Sequence, residues 1–133
     1  MSLAAPQGLP LDPGGTRLYV ADDDHHRVVV LDPATLAPIA TLGSFGTGPG
    51  QFQNPYDVAV DDVSVYVTDR GQNKFFMFTK GTGALVGSFG GRGTGDGQFQ
   101  DPQGIGFGRG ELFVSDVKND RIQVWCVSSS CGA

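Results

Sequence analysis

The sequence predicts an all-β fold of about three repeated four-stranded antiparallel sheets. Three observations lead there: an internal period of 47 residues, strand-like pieces of about six residues within each period, and glycine at 21 of 133 positions. The glycines follow no triplet rhythm, so they mark turns between short strands rather than a collagen helix. Hydrophobic residues make up 39% of the chain and include nine Phe, enough to fill the faces such sheets bury.

The period is read from three segments. Leu18-Tyr19-Val20-Ala21-Asp22 is followed by Arg27-Val28-Val29-Val30-Leu31. Val65-Tyr66-Val67-Thr68-Asp69 is followed by Lys74-Phe75-Phe76-Met77-Phe78, and Leu112-Phe113-Val114-Ser115-Asp116 by Arg121-Ile122-Gln123-Val124-Trp125. The aspartates and the basic residues each recur at intervals of 47. A second marker, Gly48-Pro49-Gly50-Gln51-Phe52-Gln53-Asn54-Pro55, returns 47 residues later as Gly95-Asp96-Gly97-Gln98-Phe99-Gln100-Asp101-Pro102. Gly43-Ser44-Phe45-Gly46 resembles Gly87-Ser88-Phe89-Gly90 at a spacing of 44. That spacing implies three residues lost before the motif and regained in the Gly91–Gly97 loop.

In the second repeat the four strands are expected at Tyr56–Asp61, Ser64–Asp69, Lys74–Thr79 and Ala84–Phe89, with Asp, Gly and Lys-Gly turns between them. Successive apolar residues, as in Phe75–Phe78, suit inner strands covered on both faces. Four antiparallel strands in such a period are the signature of a β-propeller blade. The repeats run over about 6–54, 55–101 and 102–133 of one repeat domain, 1–133, the last with its outer strand missing or irregular.

Gly-Gln-Phe-Gln-Asp-Pro-Gln-Gly-Ile-Gly-Phe (97–107), Leu-Phe-Val-Ser-Asp (112–116) and Asn-Asp-Arg-Ile-Gln-Val-Trp (119–125) resemble the NHL repeat. The resemblance runs from about Pro6 to Trp125; the first repeat keeps the His-Arg pair as His26-Arg27, and the second departs most, with Lys74 for Arg and Tyr56-Asp57 for Gln-Gly. It implies a partial propeller of about three NHL-like blades, short of the roughly four to eight that close a ring. It also implies a binding platform, or in a few relatives an enzyme with a metal on the ring axis.

Of the motifs that could carry chemistry, the Asp-x4-Arg/Lys unit is expected to be structural: Asp22, Asp69 and Asp116 cap a turn, and Arg27, Lys74 and Arg121 pair across it. The Asp22–His26 run reads as a solvated turn rather than a metal site, because adjacent ligands in a tight turn point apart. The glycine loops feed no helix, so they connect blades rather than cradle phosphate. No nucleophile elbow or zinc-binding His-Glu-x-x-His is present, and His25 and His26 are the only histidines. No catalytic residue, metal ligand or cofactor is therefore assigned. A metal-dependent lyase or hydrolase formed only by a complete ring is the competing reading. Cys126 and Cys131 could close a small disulfide loop or form half a metal site, and no second pair completes a zinc set.

Loops joining one repeat to the next share a rim with the turns after the second strand. Residues that vary there between repeats are free to recognise a partner: Asp23, Arg70 and Val117; His25, Gln72 and Asn119; Gln7, Tyr56 and Gln103. Tyr56 is the aromatic anchor, Arg70 and Lys118 the charged contacts, with Gln72, His25 and Gln103 beside them. The expected partner is a protein or further copies of the chain. A net charge of −5 without a basic run argues against nucleic acid, and no apolar stretch approaches a membrane span. The start lacks the basic and apolar regions of a signal peptide.

Overall fold

The computed structural model describes Leu3 and residues 6–127. Eleven strands form three antiparallel sheets, each wound in chain order. The first blade holds β1 (Pro6–Gln7), β2 (Leu18–Asp22), β3 (Arg27–Leu31) and β4 (Pro38–Leu42). The second holds β5 (Pro55–Val60), β6 (Ser64–Asp69), β7 (Lys74–Thr79) and β8 (Leu85–Gly90). The third holds β9 (Pro102–Gly108), β10 (Glu111–Asp116) and β11 (Arg121–Cys126), three strands among the described residues. Cys131 lies outside the described residues, and no helix among them is long and apolar enough to cross a membrane.

The period is 47 throughout, which corrects the 44-residue spacing read from Gly-Ser-Phe-Gly. Val28 pairs with Leu42 and Phe75 with Phe89, and both outer pairs shift register at the same place, after Val30 and after Met77. Ser88 therefore lies inside β8 opposite Phe76, whereas Ser44 lies beyond β4. The structural counterpart of Gly43 is Gly90: each carries positive φ, and each lies against a buried Phe ring, Phe52 or Phe99. The bridges Phe45–Phe52 and Arg92–Phe99 repeat at the same interval. The Gly-Ser-Phe-Gly likeness is thus a coincidence of composition, out of register by three residues.

Side chains alternate along each strand, so a blade between two neighbours is buried on both faces. Val65, Val67, Phe76 and Phe78 of the second blade pack with Tyr19, Val28 and Val30 of the first. Tyr66 and Phe75, from the intervening positions, pack with Leu112 and Val114 of the third. The two apolar seams are each plugged by an aromatic from the connecting loop, Phe52 in one and Phe99 in the other. Inside the arc, β5 lies against both β2 and β9.

Candidate functional site

The rim is organised by three fully buried carboxylates, Asp22, Asp69 and Asp116, each at the end of its blade's second strand. A buried carboxylate is costly unless its oxygens are filled by donors. Asp69 accepts backbone N–H groups from Gln53 (2.8 Å) and Asn54 (2.9 Å) in the incoming loop and from Gly71 (3.0 Å) and Gln72 (3.2 Å) in its own turn. Asp116 accepts the Gln100 N–H at 2.7 Å. Burial alone would raise its pKa, but that N–H together with Asn119, Arg121 and Gln123 holds the carboxyl below its ordinary range. In the second and third blades the carboxylate thus ties the incoming loop to the turn that follows.

The basic partner splits by blade. Arg27 donates Nε–H to Asp22 and Arg121 to Asp116, both at 2.9 Å. Among the described residues no ion pair joins Lys74 to Asp69; the ammonium stands 6.0 Å from the Phe76 ring centroid instead. Lysine offers a point charge on a flexible stem, whereas the arginine fork can serve the carboxylate and the loop at once. Arg121 does both, its Nη2 donating to the carbonyls of Gly95 and Gln98.

Gln72 and His25, expected to face a partner, each direct one side-chain nitrogen to the buried aspartate of their own blade, while the His25 side chain remains 44% exposed. Gln72 Nε2 donates to Asp69 at 2.7 Å and to the Gln51 carbonyl at 2.8 Å. His25 Nδ1 meets Asp22 at 2.9 Å, and Asn119 Nδ2 donates to Asp116 at the same distance. Position 25/72/119 varies in side chain, not in task. The Asp22–His26 turn is likewise not fully solvated: Asp22 is buried, and His26, in left-handed backbone at φ 57°, contacts the Gln53 carbonyl and the Phe45 ring. Asn73 and Asp120 share that left-handed conformation one and two periods on.

The remaining predicted residues gather between the second and third blades. Arg70 donates Nε–H to Asp101 at 2.6 Å and Nη2–H at 3.4 Å, and its guanidinium lies 4.8 Å from the Tyr56 ring centroid. Gln103 Nε2 donates to Asp101 at 3.0 Å. Burial opposes ionisation of Asp101, but Arg70 and Gln103 outweigh it and keep the carboxyl below its usual range. Lys118 is exposed at the mouth of a cleft of about 300 Å³ that Arg70, Asn73, Arg92, Gln100 and Asp101 also line.

Asp101 and its counterpart Asn54 were not singled out from the sequence. Asn54 Nδ2 donates to Asp23 at 3.3 Å, so positions 23 and 70 each reach the residue 31 places on, in the next blade. The signal was present: both members of the pair change together between repeats, from Asp23 with Asn54 to Arg70 with Asp101. Asp57 was missed as well. It crosses the seam near the inner strands, accepting the Ile105 N–H at 3.1 Å, and burial raises its pKa despite that bond and one from Val58. Among the described residues no group of three or more His, Cys, Asp or Glu is placed to hold a metal.

No protein-family model and no curated protein matches the chain. Solved structures do. The WD40 repeats of RRP9 superpose with a TM-score of 0.75 at 16% identity, over 98% of this chain and 37% of that one. The β-propeller domain of Myceliophteria thermophila Cps50 (Swd1) gives 0.65 at 19% identity, over 92% and 41%. The chain is a partial β-propeller. Kuenenia stuttgartiensis hydrazine synthase is also similar, with a TM-score of 0.64 at 15% identity, over 92% of this chain and 36% of that one. The chain thus spans well under half the length of each of these structures.

Proposed function

We propose that the chain is a protein-interaction or structural scaffold module of NHL-like blades that binds partners through its rim and works within a larger assembly. The observation that carries this reading is an open apolar face on the third blade. Tyr66 and Phe75, on the face of the second blade turned to the third, are 0% and 1% exposed. Their counterparts Phe113 and Ile122 are 38% and 68% exposed, and Val124 beside them 54%. A contiguous apolar sheet face of this kind marks an interaction surface. The occupant it fits is another blade of the same register, because the second blade's equivalent face is filled by the third. Similarity to the RRP9 WD40 repeats and the Cps50 propeller domain supports the propeller fold on which this reading rests.

Light scattering of the purified chain over a concentration series tests the reading. A mass above one chain that falls to a single chain in Ile122→Glu is the expected result. A single-chain mass at every concentration, unchanged in the variant, would count against assembly through further copies.

A further inference from the structure

Equivalent rim positions of the two seams, one period apart, differ in charge. Between the second and third blades the lining includes Arg70, Arg92 and Lys118, three of the nine Lys and Arg in a chain of net charge −5. The positions 47 residues earlier are Asp23, Phe45 and Gly71. Backbone and loop geometry repeat, so the fold does not demand cations at these three positions: their counterparts in the first seam carry none. Arg70 is committed to Asp101, but Arg92 and Lys118 are exposed and make no ion pair among the described residues. The side-chain amide of Gln100 in the same cleft is also without a hydrogen bond among the described residues.

We propose that this cleft seats side-chain carboxylates of an acidic segment on a partner polypeptide, a specification that rests on the rim-binding reading above. Arg92 and Lys118 supply charge, Gln100 and the outer edge of Arg70 supply directional donors, and Tyr56 beneath Arg70 steadies the guanidinium. A cleft of about 300 Å³ has room for side-chain carboxylates. A nucleic acid is disfavoured because its affinity rests on a broad basic field. Here the cluster is three cations around a cleft that itself contains Asp101, on a chain of net charge −5.

Fluorescence anisotropy with a labelled glutamate-rich peptide, and its glutamine counterpart as control, tests the assignment on the full chain. The glutamate peptide binds and the glutamine peptide does not; binding weakens severalfold as salt rises from about 0.05 to about 0.5 M. The double variant Arg92→Ala with Lys118→Ala, both exposed and so harmless to folding, weakens it by about tenfold. Absence of binding, or equal binding by the double variant, overturns the proposal. So does an oligoribonucleotide that binds more tightly through the same two residues, or inorganic phosphate that displaces the peptide at matched charge. Light scattering of the same samples separates the readings: an assembled chain that ignores the peptide sinks the cleft and leaves the scaffold standing.

Discussion

Tyr66 and Phe113 hold the same place in successive blades, yet one is fully buried and the other more than one-third exposed. Phe75 and Ile122 repeat the contrast. The strands bearing them pair in the same register, Thr68 with Phe75 and Ser115 with Ile122, so the difference does not arise within the blade. It arises from the neighbour. In a propeller a strand's second face is covered only by the next blade, and stability becomes a sum of blade and seam contributions.

Truncating one aromatic at a filled seam and one on the open face separates the two environments most strongly. Phe99→Ala removes the fully buried plug of the second seam and should cost about 3–5 kcal/mol in chemical denaturation. Phe113→Ala, on the open face, should cost about 1 kcal/mol or less in the unassembled chain. Equal costs would mean that the third blade is supported in some way the seam account omits. A smaller effect separates the carboxylates. Asp69→Ala strands four backbone donors and should cost about 1–3 kcal/mol, read as a lowered denaturation midpoint. A neutral outcome would remove Asp69 from the account of how the rim is held.

The fold was legible because its signals repeat. Asp22, Asp69 and Asp116 fix the period without any reference to structure, and Phe75–Phe78 announces a strand covered on both faces. The short likeness between Gly43–Gly46 and Gly87–Gly90 misled because glycine-rich segments match by composition; the long register of paired strands overrules it. The site was legible only in part. Comparing repeats picked out position 25/72/119 as variable, but His25, Gln72 and Asn119 are three chemical answers to one need, a donor for a buried carboxylate. Arg70 reads from the sequence, with Lys118, as a charged contact for a partner, while the Asp101 it pairs with lies in a different motif, 31 residues away and across a seam. Pairings of that kind depend on which loop the next blade brings near, and a single repeat does not encode it.

Hydrogen exchange in the dilute, unassembled chain tests most directly whether neighbours supply the protection. The amides of β6, in the blade flanked on both sides, should exchange at least about tenfold more slowly than those of β10, although each strand is paired on both sides within its own sheet. Equal protection of the two strands would contradict the claim that each blade is stabilised by the one that follows it.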